Sequence, residues 1–366
     1  MERIKKPTYR RGTNEDVFQQ LRLEAGEIVE RLEPKRRGEI VFKAFLFPGL
    51  YVFAWTAALI WGQNPWIYFA CYFSLGLLLV FIFLNIIHDA VHGTIFKSKM
   101  LNNWYVHLFD LMGANSFIWR LRHVRFHHNY PNVNGWDTDI EQSDMARVFP
   151  TGGFSKMHKY QHIYLPLIYP LFLFNWLVVR DFKDFFVKKK TVRKLIDIPA
   201  IEYVKLFFFK ALFFFYMIFV PKMVLGIGWG QAIGGFLLMV FTASIFALFV
   251  LLPPHANTEN EFPLPDDKNR LPGNWFMHML QTTNDVKEDN WFTRFFMGSF
   301  NYHVVHHLFP NINHVYYPEL TKLLEDYSKR YNLPYRKFPI LTSLKNHYKL
   351  IKQNRMPVTE IFEETM

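Results

Sequence analysis

Fifteen histidines occur in the 366 residues, and eight of them fall into three compact groups. His88 and His92 stand four apart. His123, His127 and His128 form an H-x3-H-H group, and His303, His306 and His307 form an H-x2-H-H group. On a helix, residues three or four apart share a face, with Cβ atoms about 5–6 Å apart, so each group can aim two or three imidazoles at one point. A metal ligand set requires that geometry. An isolated histidine is more often a solvated or packed side chain, and His107, His158, His162, His314 and His347 are read that way. Eight imidazoles exceed the four ligands of one zinc site, and imidazole also suits iron and copper. Two irons sharing the set is the simplest count. The glutamate and Glu-x-x-His pairs of carboxylate-bridged di-iron bundles find no match here. An all-nitrogen site is the alternative for activating O2 against an unactivated C–H bond. The one cysteine, Cys71, excludes an intramolecular disulfide and a thiolate zinc cluster.

The elements that must carry these groups read as membrane spans. Aromatic residues make up 19% of the chain and charged residues only 20%, too little polar surface for a soluble chain of this length. A mean hydropathy of +0.00 is too polar for a chain wholly inside the bilayer. The expectation is an all-α integral membrane protein with a sizeable aqueous part. Four apolar runs, at about 40–62, 66–87, 204–220 and 229–252, are each long enough to serve as transmembrane helices. They form two hairpins separated by a long polar region. The stretch Tyr160 to Val179, with Pro166 and Pro170, is expected at the interface or re-entrant. Between Gly93 and Ala200 there are 15 Lys and Arg, while the hairpin tips carry only Lys222, so both termini and all three histidine groups are expected on the cytoplasmic side. No cleavable signal peptide is visible in the polar first 39 residues. The domain expectation is therefore a cytoplasmic segment over 1–39, a membrane domain over 40–325 and a cytoplasmic tail over 326–366. The net charge of +11 suits anionic headgroups or an acidic partner, and the long apolar runs argue against nucleic acid. A membrane metal transporter would need ionisable residues within its spans, and only lysines read as edge residues, Lys43, Lys205 and Lys210, are there.

In this order and astride two hairpins, the three groups resemble the membrane fatty-acid desaturases. The resemblance is carried by His88-Asp89-Ala90-Val91-His92-Gly93, by the Arg-Phe-His-His-Asn-Tyr-Pro-Asn stretch ending at Asn132, and by Asn301 to Pro310. It extends through His255 to Pro263 and Asn274 to Thr283, and is closest to the acyl-lipid and linoleoyl-CoA-type, front-end-like branch. It implies four transmembrane helices under a cytoplasmic helical cap that carries a histidine-rich di-iron site. Two Fe ions would have nine histidine ligands: the eight grouped ones and His255, which a span end fixes more firmly than its competitor His278. Asp89 is expected to orient a ligand imidazole, while Asp137 and Asp139 are as readily solvated. The implied reaction is O2-dependent insertion of a cis double bond into a long acyl lipid or acyl-CoA, the related membrane hydroxylases being the alternative. Two features depart from the branch. His303 stands where front-end members usually have Gln, and the fused cytochrome b5 motif His-Pro-Gly-Gly is missing. An external electron donor, ferredoxin or cytochrome b5, is therefore expected.

Overall fold

The computed structural model describes residues 5–12, 14–141 and 143–357. A two-residue strand, β1 (Thr8–Tyr9), precedes the 47-residue helix α1 (Glu15–Trp61). Next come α2 (Pro65–Val91), the short α3 (Lys99–Val106), the broken helical stretch α4 (Lys156–Leu195), α5 (Ala200–Leu225) and α6 (Trp229–Leu251). They are followed by β2 (Arg270–Leu271), α7 (Trp275–Thr282), β3 (Asp285–Val286), α8 (His303–Leu308), α9 (Tyr317–Tyr331), β4 (Lys337–Phe338) and α10 (Ile340–Gln353). Among the described residues the strands form only two parallel pairs, β1 with β2 and β3 with β4.

Local chemistry sets the breaks. The Asn64 side chain accepts the Trp66 N–H at 3.0 Å, and Pro65 occupies the first turn of α2, so a new helix starts directly behind α1. Gly226, at φ 66°, closes α5 in the left-handed conformation. Five helices, α1, α2, α4, α5 and α6, are long and apolar enough to cross a membrane. Four of them contain the expected spans. The fifth, α4, contains the stretch expected at the interface, so length and composition do not single out four crossings.

The chain divides into two compact units. One comprises Gly38–Arg120 and Ile168–Leu248. Within it, a Cβ on Gly76 of α2 would lie 2.5 Å from the Met239 carbonyl of α6, and one on Gly235 would lie 2.4 Å from the Tyr68 ring. Small residues thus let these two helices pack backbone to backbone. A π-turn in α5, Phe215–Phe219, accompanies carbonyls that accept from outside the helix. Trp55 Nε1–H donates to the Tyr216 carbonyl at 3.1 Å, and the Tyr72 hydroxyl donates to that of Met217 at 2.5 Å. Lys210 is no edge residue here. It is buried, and its ammonium bonds Asp181 at 3.0 Å and the Gly113 carbonyl at 2.9 Å.

The other unit takes the chain up to Arg37, Leu121–Leu167 and the chain from Phe249 onward. Both ends of the sequence contribute to it. The Tyr327 hydroxyl of α9 donates to Glu24 of α1 at 2.5 Å, and Arg36 pairs with Glu319. Buried Arg147 donates to the carbonyls of Asn354 and Met356 at 2.9 and 2.7 Å.

Candidate metal centre

Seven of the nine expected ligands lie in the second unit described above. His123 and His127 come from a π-turn, Leu121–His127, and His128 follows directly. The wider π-turn brings the His123 and His127 rings into a stack at 5.5 Å. His303, His306 and His307 all project from the two turns of α8. His255 sits in the turn after α6, behind Pro253 and Pro254, where a helix cannot continue. Its carbonyl is held by the side-chain amides of Asn132 and Asn260 at 3.2 and 3.1 Å.

Four of these side chains, His127, His255, His303 and His307, are buried and place a ligand nitrogen each within 4.8 Å of one another. His255 Nε2 is 2.7 Å from His303 Nε2 and 3.0 Å from His307 Nε2. His123, His128 and His306 form a second convergence, with His123 and His128 Nε2 atoms 3.1 Å apart and the His128 and His306 rings 4.6 Å apart. In the first unit, His88 and His92 end α2 after another π-turn, Phe83–Ile87, with their rings 5.3 Å apart. His278 joins neither group. Its Nε2–H donates to the Pro131 carbonyl at 2.9 Å, and burial pulls it down to about 4.

The donor set can be tested against a metal. A ring nitrogen carries either one proton or one lone pair, so His255 Nε2 cannot complement two neighbouring nitrogens with two separate bonds. Imidazole–metal bonds of about 2.1 Å set at right angles separate donor nitrogens by about 3.0 Å. The observed spacings fit that arrangement. Burial, reinforced by the neighbouring imidazoles, holds His255 and His307 well below the usual histidine range, which keeps them neutral with lone pairs to give. His127 moves the other way. Burial opposes its charge, but the Asp137 carboxylate and its hydrogen bond outweigh burial and raise it.

Carboxylates behind the imidazoles fix their orientation. His127 Nδ1–H donates to Asp137 Oδ1 at 2.9 Å, and His123 Nδ1–H to Asp139 Oδ2 at 3.0 Å, which turns each Nε2 inward. Asp137 is fully buried and also accepts the backbone N–H groups of Asn132, Asp139 and Ile140 at 2.8, 3.1 and 3.2 Å. Asp137 and Asp139, read from the sequence as readily solvated, thus orient ligand imidazoles. Asp89 lies 3.9 Å from His88 Nδ1. Other supports carry no spacing signal at all. Tyr317 reaches His306 Nδ1 at 3.0 Å, Asp285 accepts the Val304 N–H at 2.8 Å in the first turn of α8, and His347 donates to the Ala256 carbonyl at 2.6 Å.

The profile of the fatty acid desaturase family matches residues 63–339. The acyl-lipid (8-3)-desaturase of Physcomitrium patens is 28% identical over 364 residues, covering 96% of this chain and 75% of that protein. The sn-1 linoleoyl-lipid 6-desaturase of Arthrospira platensis is 26% identical over 309 residues, covering 84% and 83%. An acyl-lipid (8-3)-desaturase from Mortierella alpina is 26% identical over 311 residues, covering 83% and 69%. These relatives are named as desaturases, which favours desaturation over the related hydroxylation. With long apolar helices and converging imidazoles in place, the chain belongs to the fatty acid desaturase family, as a multi-pass membrane oxidoreductase that desaturates fatty-acyl chains.

Proposed function

We propose that the enzyme inserts a cis double bond into a long acyl chain of a membrane lipid, using O2 and two irons held by histidine. The convergence of His127, His255, His303 and His307 on one point carries this reading. The resemblance gives the two irons nine histidine ligands, and His88, His92, His123, His128 and His306 are the ones proposed beside these four. Bound irons would supply the oxidising chemistry. The chain's own residues orient the imidazoles, hold the acyl chain in place and exclude water. The stoichiometry needs an outside reductant: O2 takes four electrons to become two waters, two from the substrate C–H bonds and two from a donor. Ferredoxin or cytochrome b5 is the donor class proposed, steered by the basic surplus between Gly93 and Ala200. The lipid-linked substrate is favoured over acyl-CoA because relatives are named for acyl-lipid and linoleoyl-lipid substrates. Two irons per purified chain, and a new cis double bond in the lipids of a host with defined fatty acids, are the expected results. One zinc without iron, or a hydroxylated product alone, would sink the proposal.

Four crossings with the histidine groups on the cytoplasmic side remain the topology proposed. Pro166 and Pro170 interrupt α4, and buried Arg180 and Asp181 lie within it, which suits an interfacial stretch better than a lipid-facing span. With Cys71 replaced, Lys222→Cys should react with an impermeant reagent from outside and Lys189→Cys should not. The reverse pattern overturns the orientation.

A further inference from the structure

In the unit formed by Gly38–Arg120 and Ile168–Leu248, an apolar groove of about 880 Å3 runs between α1, the α3 region and α5. Phe45, Gly49 and Val52 line it from α1, Trp104 from α3 and Phe209 from α5. Its α1 wall, from Ala44 to Val52, advances about 12 Å at 1.5 Å per residue. Phe45, Val52 and Trp104 are each more than half exposed. Such a surface is costly in water and at home against acyl chains.

Two basic residues line the same groove, His107 and Lys205. The imidazole is anchored from behind. Its Nδ1–H donates to Asp110 Oδ2 at 2.6 Å, and buried Asp110 also accepts the Ser116 N–H and hydroxyl at 2.9 and 2.6 Å. Nε2 is the polar atom that this anchoring leaves for a ligand. The Lys205 ammonium spends one of its three donors on Glu202 Oε1 at 2.8 Å. A half-neutralised ammonium and one fixed imidazole match a single phosphate or an ester carbonyl. They do not match the several phosphates of a coenzyme A. The groove also adjoins the first histidine pair, because α3 packs on the His88–Val91 end of α2. Asn102 of α3 also donates to the Gly93 carbonyl, two residues past that end, at 3.4 Å.

We propose that this groove docks the glycerolipid substrate through a part that does not react: one acyl chain lies along α1, with the ester and headgroup oxygens at His107 and Lys205. The proposal rests on the acyl-lipid reading above and adds a place where the lipid is held.

The test uses the full chain reconstituted with phosphatidylcholine that carries a diazirine in one acyl chain. Gly49→Trp should fill the groove, since a Cβ added at Gly49 meets nothing within 4 Å. Gly38→Trp is the control on the same helix, also with open space and outside the groove. Irradiation should label peptides spanning 44–52 and 104–111, and Gly49→Trp should cut that labelling about tenfold while Gly38→Trp leaves it intact. The lipid KM should rise with kcat little changed in Gly49→Trp. It should rise likewise in a His107→Leu, Lys205→Met double variant, which serves if the tryptophan disturbs folding. Equal labelling in Gly49→Trp and the unaltered enzyme, or an unchanged KM, overturns the docking site. An unaltered enzyme that converts acyl-CoA but no lipid overturns the acyl-lipid reading instead, and the two failures are told apart by that assay.

Discussion

Replacing Asp137 by Asn is the sharpest probe of the metal centre, because it removes one charge and no volume. The carboxylate is fully buried and takes four N–H donors: His127 Nδ1–H and the backbone of Asp139 and Ile140 at Oδ1, and the backbone of Asn132 at Oδ2. An amide has one acceptor oxygen. In its less harmful orientation the NH2 group replaces Oδ2 and meets the Asn132 N–H donor to donor. A buried donor left unsatisfied costs about 1–3 kcal/mol, and the three surviving bonds each lose charge assistance, about 1 kcal/mol apiece. The damage reaches a second ligand. Asn132, at φ 58°, holds the His255 carbonyl through its side chain, so loosening its backbone frees both His127 and His255 within the same group of four. Losing an orienting partner of this kind typically lowers metal affinity about 10–100-fold, and two ligands disturbed together place the expectation at the upper end. The assay is iron per chain after a graded chelator challenge, with desaturated product measured in parallel. Asp139→Asn is the comparison and should cost less, since Asp139 is only partly buried. An Asp137→Asn enzyme that holds iron and turns over like the unaltered protein would refute the reasoning.

Two further outcomes separate neighbouring roles. His255→Ala should lose iron and product together, whereas His278→Ala, which gives up a bond to the Pro131 carbonyl and an edge contact with the Tyr9 ring, should keep its iron and lose some thermal stability. The opposite result would make His278 the ninth ligand. Asp285 provides a pH signature. Burial pushes its carboxyl up to about 7, although the Val304 N–H and the Tyr335 hydroxyl, at 2.8 and 2.7 Å, pull the other way. A carboxyl raised above its unfolded value of about 3.9 stabilises the fold fully below that value, and the stabilisation fades as pH rises through about 7. A rise of that size sets a ceiling of roughly 4 kcal/mol on the effect. Thermal unfolding followed by tryptophan fluorescence should therefore show the midpoint falling between about pH 4 and 7 more steeply in the unaltered protein than in Asp285→Asn. Parallel curves would remove Asp285 as the cause.

What could be read from the sequence was whatever a helical period encodes. His303, His306 and His307 share one short helix, so spacing alone predicts that they face one way. The second group needed more, because His123, His127 and His128 lie on and just beyond a π-turn, whose period differs from the one assumed. The supports have no period to betray them. Asp137 and Asp139 lie 10 and 16 residues beyond the histidines they orient, in a turn-rich loop whose path only the folded chain fixes. His347, an isolated histidine read as bland, donates to the carbonyl next to His255 from 91 residues away, and burial pushes it down to about 4. Its neighbourhood could not be inferred from position in a polar C-terminal stretch. Lys210 misled for a related reason. A lysine in an apolar run looks like an edge residue until its partner is known, and Asp181 lies 29 residues away in a segment broken by prolines.

The same asymmetry bears on how the site works. Short-range spacing can aim imidazoles, but it cannot hold them against the pull of a metal at a point set to tenths of an ångström. That holding comes from bonds made by Asp137 and Asn132 in one loop and by Tyr317, Asp285 and His347 from three other stretches of chain, all five buried. A donor set preorganised by distant elements cannot relax one ligand without disturbing the others. Substitutions in these supports are therefore expected to be non-additive with ligand substitutions. An Asp137→Asn, His127→Ala pair should lose scarcely more iron than His127→Ala alone through the His127 bond, and the excess it does lose measures the part transmitted through Asn132 to His255. No excess at all would confine Asp137 to His127 and cut the link to His255.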